Sequence, residues 1–143
     1  MTKPSPIEIF DSLQDLLHEF RTQTRSHVER LHPELTLNEM RVLMYTGRNA
    51  GLTQTEMIER SHTDKAQMAR ILASLEQQGL LERTASETDK RVRCLFLSEQ
   101  GNALFKQLRD WQNQVGATLL KDLPEQMQRQ MLNAFRQGGG KAD

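Results

Sequence analysis

The segment from residue 52 to residue 97 constrains the fold of this chain most strongly. It contains two short amphipathic stretches, then two short apolar stretches separated by a charged loop. The order predicts two helices followed by a β-hairpin. Two helices joined by a tight turn, with a hairpin as a wing, form a winged helix-turn-helix, a shape that fits duplex DNA.

The second of these helices is the candidate DNA reader. It is predicted from about Asp64 to Gln78, with Thr63 or Asp64 as its cap and Gly79 as a left-handed stop. Residues at helical spacing form a predicted apolar stripe: Ala66, Met68, Ala69, Ile71, Leu72 and Leu75. The predicted outward face carries Lys65, Gln67, Arg70, Ser74 and Gln77.

Three polar side chains near the start of this helix point to base recognition. Lys65, Gln67 and Arg70 lie where recognition helices contact bases and phosphates. Glutamine pairs with adenine, and arginine or lysine with guanine. The alternative interpretation is an ordinary amphipathic surface helix.

The hairpin favours the DNA-binding interpretation. Its predicted strands are Leu80–Thr84 and Val92–Leu97, and the polar loop between them ends in Asp89, Lys90 and Arg91. Asp89 and Arg91 share a face in an extended segment, so we expect them to pair. Lys90 is then free for the minor groove, where cations are attracted. The alternative is a solvated loop of mixed charge.

Three segments in this order carry a family resemblance. They are residues 64–70 (DKAQMAR), residues 75–83 (LEQQGLLER), and residues 89–91 (DKR) followed by 97–101 (LSEQG). On these motifs the chain resembles the MarR family of bacterial transcription regulators over nearly its whole length. The resemblance implies a homodimer that binds operator DNA, usually represses transcription, and is often released by a small molecule or an oxidant.

The resemblance assigns site residues by motif. Lys65, Gln67 and Arg70 match the recognition-helix contacts, Lys90 matches the wing tip, and Asp89 with Arg91 matches a wing salt bridge. The polar start of the preceding helix adds candidate phosphate contacts. The full DNA-contacting set is Thr53, Gln54, Thr55, Thr63, Lys65, Gln67, Arg70 and Lys90. The chain departs from the family at the turn Ser61-His62-Thr63, where many relatives have apolar residues around a glycine.

Capping motifs predict where the remaining helices begin. Serine or threonine followed three residues later by glutamate starts helices at Ser5, Thr36 and Thr53. The first helix runs to about Leu31, before Pro33, and the second ends near Gly51. One side of the first helix is predicted to be apolar through Phe10, Leu13, Leu17, Phe20, Thr24, Val28 and Leu31.

These elements predict a mainly α fold with a small β-wing (α+β). Leu52 is expected to add a short third strand to the wing, Ser98 to cap a long helix, and Pro124 to open the last one. The predicted boundaries are a winged lobe at 36–97, dimerisation helices at 5–33 and 98–137, and a flexible tail at 138–143. We expect the flanking helices to interlock with a second copy, which places two reader helices on a pseudo-palindrome.

Charge leaves a second function class open. The chain of 143 residues has 19 basic and 19 acidic residues, so its formal net charge is zero, unlike a typical DNA binder. Its cations cluster locally in the winged segment: Lys65, Arg70, Arg83, Lys90, Arg91 and Arg93. The alternative function is a winged-helix module that binds a partner protein instead of specific DNA. A steep salt dependence of DNA binding distinguishes the two.

The sequence contains no pattern typical of an enzyme, a cofactor site, a metal site or a membrane span. With no visible signal peptide and a single cysteine, the expected compartment is the cytoplasm. Oxidant-sensing relatives carry their reactive cysteine in the first helix. Cys94 lies in the wing instead, so a structural or neutral role is favoured over redox sensing.

The resemblance also implies a cleft for a small aromatic or lipophilic effector. The candidate lining residues are His18, Arg21, Met40, Met44, Tyr45 and Trp111. Methionine and aromatic residues at helical spacing are more often core residues, which is the alternative for this set.

Overall fold

The computed structural model describes residues 2–139. Within that range the chain forms six α-helices and two β-strands, which confirms the mainly α fold with a small wing. In chain order they are α1 (Pro6–Leu31), α2 (Leu37–Arg48), α3 (Gln54–Ser61), α4 (Lys65–Gln77), β1 (Leu81–Ala85), β2 (Arg93–Leu97), α5 (Glu99–Leu119) and α6 (Glu125–Gly139).

Local hydrogen bonds explain why the first three helices begin where the sequence predicts. Each starts with a capping box, in Ser5–Glu8, Thr36–Glu39 and Thr53–Glu56. In the box of α3, the Glu56 amide donates to Thr53 Oγ1 over 3.1 Å and the Thr53 amide donates to Glu56 Oε1 over 3.1 Å. Amides that lack partners inside the helix are satisfied in this way.

The two strands of the wing pair antiparallel with a simple register. Leu81 lies opposite Leu97 and Ala85 opposite Arg93. The short bridging segment predicted at Leu52 is present beside β2. The Gly51 amide donates to the Leu95 carbonyl over 2.8 Å, the Leu95 amide donates to the Leu52 carbonyl over 2.8 Å, and Thr53 forms an isolated bridge with Cys94. The extended segment is short because α3 begins immediately after it.

The chain divides into two compact units. We call Arg25–Asp110 the winged unit, and the described residues up to Thr24 and from Trp111 the terminal-helix unit. The winged unit is therefore larger than the predicted lobe at 36–97. It contains a continuous apolar core: Val28, Leu35, Val42, Leu43, Met44, Met57, Met68, Ile71, Leu72, Leu75, Leu81, Leu95, Leu97, Leu104 and Leu108.

The terminal-helix unit buries far less. Among its described residues, only Thr24 and Val115 are buried. Large apolar side chains are exposed instead: Ile7, Ile9, Phe10, Leu17, Met127, Leu132 and Phe135. Phe10 and Leu17 belong to the predicted apolar side of the first helix, so the described residues leave part of that side exposed, whereas Thr24 and Val28 on the same side are buried. In the described chain, no helix has the combination of length and hydropathy needed to cross a membrane.

The last helix is longer than predicted. Gly138 and Gly139 are helical, so the order does not end at Gly138. Glycine lowers helix propensity by about 1 kcal/mol, but two glycines at a helix end can still use the carbonyls of the preceding turn. The remainder of the predicted tail, residues 140–143, lies outside the described residues.

Candidate nucleic-acid interface

Helix α4 presents a clear exposed face. Asp64 caps it by accepting the Gln67 amide at Oδ2 over 3.1 Å. Met68, Ile71, Leu72 and Leu75 are buried on the inner face, as predicted. On the opposite face Lys65, Arg70 and Gln77 are exposed.

The edges of the predicted stripe on α4 were wrong. Ala66 and Ala69 are exposed, together with Ala73. Four large side chains already fill the core along this helix, so the small alanines fall outside it. The exposed face therefore alternates cationic side chains with methyl groups.

Two polar residues of α4 turn partly inward. Gln67 is half-buried and lines a cavity of about 180 Å³ with Asn38 and Arg41 of α2. Ser74 is also half-buried, and its Oγ donates to Glu39 Oε2 over 2.5 Å. The prediction that Ser74 lies on the outward face was therefore wrong, because its hydroxyl donates a hydrogen bond to a buried carboxylate on α2.

The turn between α3 and α4 contains a backbone conformation unusual for its residue. His62 adopts the left-handed region, with φ 54° and ψ 33°. Among the described residues, it is the one non-glycine residue with positive φ. Thr63 is half-buried, with Oγ1 3.4 Å from the Ser61 carbonyl oxygen, and Ser61 Oγ is buried without a partner in the described chain. Glycine would adopt this conformation at lower cost, because it has no Cβ.

The loop at the wing tip is ordered by an ion pair at its end. Arg91 Nε lies 3.4 Å from Asp89 Oδ1, and the Arg91 amide donates to the same oxygen over 3.0 Å. Lys90, between them, is exposed. An exposed pair of this kind stabilises by only about 0.2–1 kcal/mol, so it orients the loop more than it stabilises the fold.

The start of α3 is held from the wing by Arg83. The Arg83 guanidinium donates to Gln54 Oε1 over 2.7 Å and to Glu76 Oε1 over 2.8 Å. Arg83 thereby connects β1 with both helices of the helix-turn-helix. From the sequence, Arg83 was predicted only as one of the clustered cations. Its role in joining these elements was not predicted, because its partners lie 29 and 7 residues away.

The candidate phosphate contacts at the start of α3 differ in exposure and in the hydrogen bonds that they already make. Thr55 is exposed. Thr53 is half-buried and its hydroxyl accepts the Glu56 amide, while the amide oxygen of Gln54 is used by Arg83. The amide nitrogen of Gln54 is therefore the group that can face an anion.

The structure places the effector candidates in two sets. Met44 is buried, and Met40 and Tyr45 pack against the core of the winged unit. These three therefore have the position of core residues, which was the alternative to a cleft lining. Residues His18, Arg21 and Trp111 lie in the terminal-helix unit, where the first two are exposed and the third is half-buried.

Cys94 is half-buried in β2, and its backbone forms the bridge to Thr53. Within residues 2–139, no group of three His, Cys, Asp or Glu side chains is placed to hold a metal ion.

Known proteins are similar to this chain in sequence. The model of the MarR family matches residues 34–92. The transcriptional regulator HosA of Escherichia coli O157:H7 is 30% identical over 90 residues, which cover 61% of this chain and 67% of that protein.

Two solved structures share the fold. FabT of Streptococcus pneumoniae, crystallised in complex with DNA, has a TM-score of 0.74 and 16% identity over 93% of this chain and 94% of that one. Wild-type MarR of E. coli in its apo form has a TM-score of 0.71 and 19% identity over 94% of this chain and 98% of that one. At such low identities the likeness establishes the fold alone.

Proposed function

Since the chain belongs to the MarR family of transcriptional regulators, we propose that it binds specific duplex DNA with α4 in the major groove and the wing tip in the minor groove. Transcriptional regulators are not enzymes, in agreement with the sequence-based prediction.

One observation carries the proposal: the exposed face of α4. Lys65 and Arg70 stand beside Ala66, Ala69 and Ala73, all exposed. The small methyl groups leave room for close approach to base edges and can contact the methyl group of thymine. The two cations can pair with guanine or with phosphates.

The remaining candidate residues take different parts in this proposal. Gln67 stands at the edge of the exposed face and is the candidate adenine reader. Thr53, Gln54, Thr55 and Thr63 are candidate backbone contacts, which fix the register of the helix without reading sequence. Lys90 at the wing tip is the candidate minor-groove contact.

We propose that the chain acts as a homodimer on a pseudo-palindromic operator. The exposed apolar side chains of the terminal-helix unit support this, because a second copy can cover them. Two α4 helices in such a dimer would match half-sites about 34–36 Å apart.

Repression and effector release complete the proposal. Binding at a promoter would exclude polymerase and so repress transcription. The regulator would act in the cytoplasm, where bacterial DNA lies. A small aromatic or lipophilic effector would release it by favouring a conformation that fits DNA less well. A broad ligand panel that leaves operator affinity unchanged would remove the effector from this proposal.

The test is a mobility shift with the DNA immediately upstream of the chain's own gene, repeated across a salt series. Tight, salt-sensitive binding to one pseudo-palindrome is the expected result, because phosphate contacts release counterions. Weak binding that is indifferent to sequence and to salt would contradict the proposal and favour a protein-partner module.

Two variants separate base reading from backbone contact. Arg70→Ala is expected to cost about 1–3 kcal/mol of specific binding if Arg70 reads a base. Lys90→Ala should weaken all sequences alike and make the salt slope shallower by about one. Lys106→Ala is the matched control, since it removes an exposed cation from α5.

A further inference from the structure

One of the three capping-box glutamates differs from the others. Among residues 2–139, Glu8 and Glu56 make hydrogen bonds only within their own boxes, to Ser5 and Thr53. Glu39 makes the same local bonds with Thr36, but it is buried, with 8% of its surface exposed. Its second carboxylate oxygen is used outside its own helix.

That oxygen binds helix α4. Ser74 Oγ donates to Glu39 Oε2 over 2.5 Å, across 35 residues of sequence. Gln78 Nε2 donates to Ser74 Oγ over 3.1 Å. The carboxylate therefore joins the cap of α2 to α4 through Ser74, and the hydrogen bonds continue to Gln78 at the end of α4.

A buried carboxylate is costly unless it is fully hydrogen-bonded. Burial raises the pKa of Glu39, but hydrogen bonds, first from Ser74 and then from Thr36, outweigh it and hold the pKa below its ordinary value of 4.5. The side chain is thus an anion at neutral pH with directional donors. Directional bonds fix a rotation that apolar packing alone leaves adjustable.

The rotation of α4 matters for its exposed face. Ser74 follows Arg70 by one helical turn, and both project from adjacent turns of one helix. Fixing Ser74 against α2 therefore also fixes the direction in which Arg70 leaves the helix. Base contacts depend on such direction, whereas non-specific phosphate attraction depends on it far less.

We propose that Glu39 is a positioning residue for DNA reading, which acts through Ser74 to set the orientation of α4 without contacting DNA itself. This inference rests on the proposed function. It assigns specificity to a residue on α2, outside the helix-turn-helix and the wing.

The test compares Ser74→Ala with Ser74→Thr. Threonine retains the hydroxyl and alanine removes it, so threonine is the matched rescue. Affinity is measured for the upstream DNA fragment and for a random fragment of equal length, at a temperature where circular dichroism shows each variant fully folded. Ser74→Ala is expected to lose about tenfold in affinity for the upstream fragment, which is about 1.4 kcal/mol, with random-fragment affinity unchanged. Ser74→Thr should stay close to wild type.

A second pair of variants tests the carboxylate. Glu39→Gln should lower the same specificity ratio, and the double variant Glu39→Gln with Ser74→Ala should fall no further than the larger single effect, because both remove one interaction. Glu8→Gln is the matched control, with the same local box and no bond to another helix. Additive losses, or equal specificity ratios in wild type and Ser74→Ala, would overturn the inference.

The positioning role of Glu39 and the proposed DNA binding fail on different results. If wild type itself shows no sequence preference, the proposed function fails. Amide hydrogen exchange in α4 without DNA then decides whether Glu39 orders the helix. Faster exchange in Ser74→Ala than in Ser74→Thr supports the positioning role, and equal exchange overturns it.

Discussion

The winged unit and the terminal-helix unit use apolar residues in opposite ways. In the winged unit, Leu43, Leu72 and Leu95 are completely buried, and each helix and strand contributes to one core. In the terminal-helix unit, Phe10 and Phe135 are 60% and 50% exposed. Burial of apolar surface is the main favourable term in folding. The winged unit therefore supplies its own stability, whereas the terminal-helix unit has apolar surface left for a partner, as the proposed dimer requires.

Replacing one leucine of each unit with alanine should have very different effects on stability. Leu72→Ala removes a side chain with no exposure and should lower the free energy of unfolding by about 2–5 kcal/mol. Leu132→Ala removes one that is 47% exposed and should change the stability of the chain by less than about 0.5 kcal/mol.

Urea denaturation measures both effects, and sedimentation tests whether Leu132→Ala weakens self-association. If the two variants lost equal stability at a concentration where the chain is monomeric, the terminal-helix unit would possess a core of its own. The comparison between the units would then fail.

Helix α5 contains one glycine in each unit, and the two have different surroundings. A Cβ at Gly101, in the winged unit, would lie within van der Waals overlap of the Leu80 carbonyl oxygen, so Gly101→Ala should cost about 1–3 kcal/mol. A Cβ at Gly116, in the terminal-helix unit, would meet Phe20 at an ordinary 3.8 Å. Gly116→Ala should therefore stabilise the chain by about 0.5–1 kcal/mol, because alanine is the better helix former.

Thermal unfolding of the two single variants provides the measurement. Shifts in opposite directions are expected. Equal destabilisation would show that α5 packs as tightly in the terminal-helix unit as in the winged unit.

The capping boxes of the two units should also differ in how their glutamates respond to pH. The pKa of Glu39 is held below its ordinary value, so its folded form binds protons less readily than its unfolded form. Its contribution to stability is present above pH 4.5 and is lost as pH falls through the lower folded pKa. Glu39→Gln should cost about 1 kcal/mol at pH 7 and reduce the loss of stability on acidification.

Glu8 in the terminal-helix unit provides the contrast. Its pKa is also lowered, through the backbone and side chain of Ser5, but the group is fully exposed. Glu8→Gln should therefore leave the acid branch of the stability profile closer to wild type than Glu39→Gln does. Guanidinium titrations from pH 3 to pH 7 compare them, and identical acid branches would contradict this difference.

Local chemistry made much of the fold predictable. Capping boxes, Pro33 and Gly79 depend on neighbouring residues, so the helix bounds followed from the sequence to within a few residues. The ion pair of Asp89 and Arg91 also follows from their spacing. The positions of Lys65 and Arg70 on the exposed face follow from helical periodicity.

Tertiary contacts decided what the sequence could not show. Ser74 turns inward because its hydroxyl donates a hydrogen bond to the carboxylate of Glu39, which lies 35 residues away in sequence. Ala66 and Ala69 turn outward because larger residues already fill the core beside α4. Arg83 is paired across three elements, which its sequence neighbours do not indicate.

The left-handed His62 has a consequence for how this chain can vary in evolution. Glycine adopts this conformation freely, asparagine and aspartate adopt it more readily than most residues, and β-branched residues almost never do. Viable single substitutions at this position should therefore be confined to a small set led by glycine.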